Sequence, residues 1–174
     1  MLAMAAAACV AGVARTTPAR AEPQAGAAVV APPPALYRVA AIGAERSLTD
    51  LTAYGAGLEL AAGSLAPAAP HFVVRGLAGR TGAGLSLYEV AAGGTMETAL
   101  FGHVRVGLGA GIATLTVMPA TGASTIFSVG PEGILRAGWD FGVPAAPFVL
   151  LDAVVDVYAG SIVWGPTLAV GYAF

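Results

Sequence analysis

The sequence predicts an all-β chain, a closed antiparallel transmembrane β-barrel of about eight strands behind an N-terminal signal peptide. Three observations lead there. The chain is 57% hydrophobic and 10% charged over 174 residues, far more apolar than an ordinary soluble domain. No stretch after the N-terminal region is long and uncharged enough for a membrane helix. Instead, bulky apolar side chains alternate with small or charged ones along successive segments, the period of a strand whose two faces meet different surroundings.

The helix alternative fails at its best candidate. Residues 145–160 contain Asp152 and Asp156, and a carboxylate at the centre of a membrane helix costs about 2.5–3.5 kcal/mol. Parity resolves the conflict. Val149, Leu151, Ala153, Val155 and Val157 form one unbroken apolar face, while both aspartates fall on the other face with Leu150 and Val154. A barrel lets the second face point into its lumen.

Before the strands come two segments of different character. Residues 1–21 begin with a short alanine-rich apolar run and end in Ala19-Arg20-Ala21, the small-x-small pattern of a signal peptide cleaved near Ala21. Export would leave ten acidic residues against six arginines, a net charge of −4, too mild to select a partner. Cys9 is the only cysteine and lies within the signal, so the exported chain has no thiol chemistry. Lipidation of Cys9 has little support, because Ala6-Ala7-Ala8 lacks a bulky aliphatic residue before it. Residues 22–35 carry Pro32-Pro33-Pro34 and read as an extended lead-in; the barrel occupies 36–174.

Turn signals at 45–49, 64–70, 79–84, 93–96, 118–123, 143–147 and 160–161 divide that region. The predicted strands lie near 36–45, 50–63, 70–79, 83–92, 97–118, 122–142, 147–159 and 161–174. The two long ones can be divided, which makes ten strands possible. In most segments charge keeps to one parity. Glu59 lies with Gly55 and Gly57 opposite Tyr54, Leu58 and Leu60; His71 and Arg75 oppose Phe72 and Val74; Arg136 and Asp140 oppose Leu135, Ala137, Trp139 and Phe141. Segment 85–92 is less clean, since Leu85 and Leu87 share parity with Glu89. Strands of this length can cross a bilayer when tilted, and only a closed barrel satisfies their backbone groups there.

The last strand is the sharpest element. Ile162, Trp164, Pro166, Leu168, Val170, Tyr172 and Phe174 oppose Ser161, Val163, Gly165, Thr167, Ala169, Gly171 and Ala173. With the signal peptide and the strand series, this resembles the small bacterial outer-membrane β-barrel proteins. The resemblance implies an outer-membrane location. It also implies that Leu168, Val170, Tyr172 and Phe174 form the assembly signal read by the barrel-assembly machinery. Lipid and that machinery are then the expected partners. The aromatics Trp139, Phe141, Phe148, Tyr172 and Phe174 are expected in a periplasmic girdle, with Tyr158 and Trp164 in the opposite belt.

An eight-stranded barrel is just wide enough for side chains to fill. A turn at 143–147 puts Arg136 opposite Asp152, and a turn at 118–123 brings Arg105 and His103 to about the same level. The expected luminal cluster is therefore Arg105, Arg136 and Asp152, with Asp140, Asp156 and His103 nearby. It reads as a salt-bridge network compensating buried charge, with a proton or small-ion path as the sharper alternative.

Other chemistry finds little footing. All eight basic residues are arginines scattered along the chain, which excludes a nucleic-acid patch. No catalytic residues are assigned: the only histidines are His71 and His103, and no Gly-x-Ser-x-Gly elbow accompanies them, which disfavours a lipid-modifying enzyme. No metal site or cofactor is expected, because the carboxylates lie on separate strands and there is no His-x-x-x-His or cysteine pair. Gly107 to Gly111 lacks the lysine and helix start of a phosphate loop and suits a crowded lumen. The predicted role is structural or interactive. A narrow passive channel and a soluble secreted β-sandwich or barrel are the alternatives.

Overall fold

The computed structural model describes residues 35–64, 66, 68–119, 124–142 and 146–174. The expected signal peptide and nearly all of the lead-in lie outside the described residues. Eight strands follow one another: β1 (Ala35–Leu48), β2 (Leu51–Ser64), β3 (Ala68–Thr81), β4 (Ser86–Leu100), β5 (Val104–Met118), β6 (Ile126–Asp140), β7 (Ala146–Tyr158) and β8 (Ser161–Ala173). Each pairs antiparallel with the next, and β8 returns to β1, so the sheet closes. Among the described residues there is no second sheet for a sandwich. The count is eight rather than ten.

Alternation carries the architecture. Along β7, Ala146, Phe148, Leu150, Asp152, Val154, Asp156 and Tyr158 are buried in the lumen while the intervening residues face outward. The outer wall exposes Leu58, Leu60, Leu108, Leu135, Leu151, Leu168 and Val170 among many others, an apolar surface that no soluble monomer needs. Aromatics gather toward its two rims. Tyr37, Phe72, Trp139, Phe141, Tyr172 and Phe174 lie toward the rim where β1 starts and β8 ends; Tyr54, Tyr88, Phe127 and Trp164 lie toward the other. Two expected girdle members depart from this pattern. Phe148 and Tyr158 have luminal parity and are 1% and 4% exposed.

Two turn expectations are corrected. The expected turn at 45–49 is strand as far as Leu48, with the bend at 49–50. Residues 93–96 are not a turn; β4 runs through them to Leu100, and the bend falls at 101–103. Gly93 stands opposite Gly111, and a Cβ on Gly93 would come within 2.5 Å of the Ala110 carbonyl oxygen. These glycines let two strands approach, a packing role that local sequence does not separate from a turn. At the true bend Phe101 and Gly102 have φ of 52° and 79°, the left-handed conformations of a tight hairpin.

The seam between β1 and β8 closes through the chain's last aromatic. Tyr37 N–H donates to the Phe174 carbonyl and Phe174 N–H to the Tyr37 carbonyl, both at 2.9 Å, and their rings lie 6.2 Å apart. Farther along, the ladder skips Glu45 and Arg46 opposite Pro166 and Gly165. Proline has no N–H to contribute, and Arg46 Nη1 instead donates to the Glu45 carbonyl at 3.1 Å and the Pro166 carbonyl at 3.4 Å.

Candidate functional site: the charged lumen

Five arginines and seven carboxylates are buried inside the barrel among the described residues. They fall into three groups, set by which strand each residue rides and how far along it.

The inner cluster is organised by Arg136. Its Nε and Nη2 hold both oxygens of Asp152, directly across the β6–β7 ladder, at 2.8 and 2.6 Å. Nη2 also reaches both Glu59 oxygens at 2.9 and 2.8 Å, and Nη1 reaches Glu97 Oε1 at 3.2 Å. A planar guanidinium with five donors is the group suited to bind three acids at once. Glu97 Oε2 receives a further bond from Arg38 Nη1 at 2.7 Å, and His71 Nδ1 stands 3.9 Å from Glu97 Oε1. Arg38 lies over the Phe148 ring at 5.5 Å, which explains why that aromatic sits inside rather than in the girdle.

The outer cluster, nearer the rim of the β1–β2 and β7–β8 turns, contains Arg46, Arg75, Glu89, Glu132 and Asp156. Arg46 binds Glu89 in bidentate fashion, Nε to Oε2 at 2.8 Å and Nη2 to Oε1 at 3.0 Å. It also donates to Thr167 Oγ1 at 3.0 Å. Arg75 Nη2 contacts Glu132 Oε2 and, at 3.4 Å, Glu89 Oε1. Asp156 stands opposite Glu132 in the register, yet neither of its oxygens has a hydrogen-bond partner.

A third group, the isolated pair of Arg105 and Asp140, lies at the rim of the β4–β5 turn.

The expected cluster is thus partly redistributed. Arg136 and Asp152 meet as predicted, because the turn between their strands sets that register. Arg105 belongs with Asp140 and stands opposite Gly138, not Arg136. Asp156 belongs to the outer cluster. His103 is not luminal at all: it is exposed in the β4–β5 turn, with its ring stacked 5.9 Å from Trp139. Ending β4 at Leu100 removes His103 from the alternation that would have turned it inward. Leu168, Val170, Tyr172 and Phe174 all face outward, on the parity expected for the terminal strand.

Sequence reasoning omitted Arg38, Arg46, Arg75, Glu59, Glu89, Glu97, Glu132 and His71 from the cluster. For Glu59, His71 and Arg75 the signal was present, since each lies on the charged parity. Arg46 was hidden by an assigned turn and Glu97 by the false one before it. Glu89 was hidden by sharing parity with Leu87, which proves to be luminal and 1% exposed. Glycines make room for these large side chains. A Cβ on Gly107 would meet the Glu97 side chain at 3.0 Å, and one on Gly63 would meet the His71 ring at 2.1 Å.

Only one described arginine lies on the outer wall. Arg80 stands between Tyr54 and Ser86 in the cross-strand register, near the β3–β4 turn.

An eight-stranded closed barrel with an apolar exterior and ionic interior is the fold of small bacterial outer-membrane barrels. The chain is similar to Neisserial surface protein A, with a TM-score of 0.60 and 16% identity over 80% of this chain and 95% of that one. It is also similar to Ail, the attachment invasion locus protein of Yersinia pestis, with a TM-score of 0.54 and 11% identity over 80% and 97%. The N-terminal β-barrel domain of Pseudomonas aeruginosa OprF gives a TM-score of 0.50 and 15% identity over 79% and 97%. No protein-family model matches the sequence, and no curated protein matches it. At these identities the likeness is one of fold.

Proposed function

We propose that this chain is an exported outer-membrane protein whose barrel is a closed structural or interaction module rather than an enzyme or an open pore. One observation carries the reading: the charged side chains that would line a channel are packed against one another, with Arg46, Arg136, Glu97, Asp152 and Asp156 each at most 1% exposed. Leu115 and Val163 stand across the ladder from Glu89 and Asp156, and with Leu87 and Tyr158 they add buried packing around the outer cluster. The wall buries in lipid, the aromatic belts sit at its interfaces, and Arg80 with Tyr54 suits an interfacial anchor. With eight strands the barrel begins and ends at one rim, which this reading assigns to the periplasm. The turns at the opposite rim then face outward, and β1–β2 and β7–β8 are joined by only two residues each.

Purified protein reconstituted in planar bilayers is expected to give no conductance steps while migrating differently on electrophoresis with and without boiling. Ion-conducting steps of stable size would replace this reading with the narrow passive channel. In cells, N-terminal sequencing of the outer-membrane form is expected to start near Glu22. Export without barrel assembly in Phe174→Ala would support a role for that residue in recognition by the assembly machinery; unchanged insertion would remove it.

A further inference from the structure

Glu89, Glu132 and Asp156 come from three strands, and each turns a carboxylate oxygen to within 4.8 Å of the others. All three are buried. The two guanidiniums beside them, Arg46 and Arg75, are engaged by Glu89 and Glu132. Three carboxylates against two arginines leave one negative charge, and the geometry shows where it rests: Asp156 is 0% exposed with both oxygens unpartnered. The next luminal residue of β7, Tyr158, is also buried and its hydroxyl has no partner. Arginine does not give up its proton in proteins, so no rearrangement of the existing pairs removes the excess. A buried charge without a counterion is strongly disfavoured.

We propose that the outer cluster is an occluded binding site for one hard metal cation, held by Asp156 with Glu132, Glu89 and the Tyr158 hydroxyl oxygen. The donor set is entirely oxygen, which selects alkali or alkaline-earth ions over softer metals. A monovalent ion cancels the missing charge and a divalent one exceeds it by one; either gives partners to the Asp156 oxygens and the Tyr158 oxygen together. The Arg75 guanidinium, whose Nη2 already contacts Glu89 and Glu132, opposes a second cation and limits the site to a single ion. Glu89, Glu132 and Asp156 are 2%, 5% and 0% exposed, so the ion enters as the barrel forms and leaves slowly. The site rests on the closed lumen of the proposed function, but the two fail separately: a conducting barrel that still retains metal would overturn only the first.

The test refolds the full chain in detergent with chelator in choline chloride, with sodium chloride, or with calcium chloride. Bound metal is then measured by elemental analysis after gel filtration. About one ion per chain is expected from one of the two salts, with unfolding in urea slowed at least tenfold relative to the chelated sample. Asp156→Asn, an isosteric change, is expected to abolish both retention and the salt response; Tyr158→Phe should weaken retention without changing the fold. Equal unfolding rates in all three media without bound metal would overturn the site and mean that Asp156 keeps a proton instead. Metal retained equally by Asp156→Asn would place it elsewhere and overturn the assignment.

Discussion

The inner and outer clusters of the lumen carry the same excess of one carboxylate over arginine and distribute it differently. In the inner cluster every carboxylate has a guanidinium partner, because Arg136 bonds Glu59, Glu97 and Asp152 together and Arg38 adds a second bond to Glu97. His71 Nδ1 stands 3.9 Å from Glu97 Oε1. In the outer cluster the arginines concentrate on Glu89 and Glu132, and the whole deficit falls on Asp156. Equal net charge therefore does not mean equal compensation. A hub spreads the excess over a network, whereas paired contacts leave one group alone.

The largest expected effect comes from removing the hub. Arg136→Met strands Glu59 and Asp152 and leaves Glu97 with Arg38 alone, and breaking a buried ion pair from one side costs about 3–5 kcal/mol. Urea unfolding in detergent should show a loss at least this large, and adding Glu59→Gln should recover part of it if the network acts as a unit. A loss below about 1 kcal/mol would mean that the inner cluster is no better coupled than a surface pair.

Next is the seam that anchors the outer cluster. A Cβ at Gly165 would lie 2.0 Å from the Glu45 carbonyl oxygen, the same oxygen that accepts from Arg46. Gly165→Ala should destabilise the barrel by about 1–3 kcal/mol through overpacking. Because it displaces the anchor of Arg46, Arg46→Met should cost less in that background than alone.

Asp156→Asn should act in the opposite direction. In metal-free buffer it removes an unpaired charge without breaking any hydrogen bond, and a stabilisation of about 1 kcal/mol or more is expected in the same unfolding assay. Destabilisation there would show that Asp156 has a partner under those conditions, and the contrast with the inner cluster would fall. The smallest effect belongs to His103→Ala in the exposed β4–β5 turn, within about 0.5 kcal/mol. A larger change would make its stacking on Trp139 part of barrel stability.

Strand number, the facing of most residues and the Arg136–Asp152 pair were all legible in the sequence. Each depends on short-range information: a period of two, or two strands joined by one turn. Errors arose where one local signal has two meanings. Glycines at 93 and 94 read as a turn but lie inside a strand, where Gly93 is a close-contact position, and this misplaced the end of β4 and carried His103 inward. Segment 85–92 gave no clean parity because Leu87 shares a face with Glu89, and that face is luminal, since a lumen this narrow accepts leucines between its charges.

By itself, the sequence determined that the chain is a strand series with one wall for lipid and one for charge, since side-chain parity follows from the backbone alone. Beyond the Arg136–Asp152 pair, only the tertiary structure decided which charges meet. Arg136 and Glu59 are 77 residues apart, and Arg46 and Glu89 are 43 apart. Their contact depends on barrel closure and on the stagger accumulated around all eight strands. The same closure brings Glu89, Glu132 and Asp156 from separate strands to one level, although their separation in sequence gave no reason to expect a metal site.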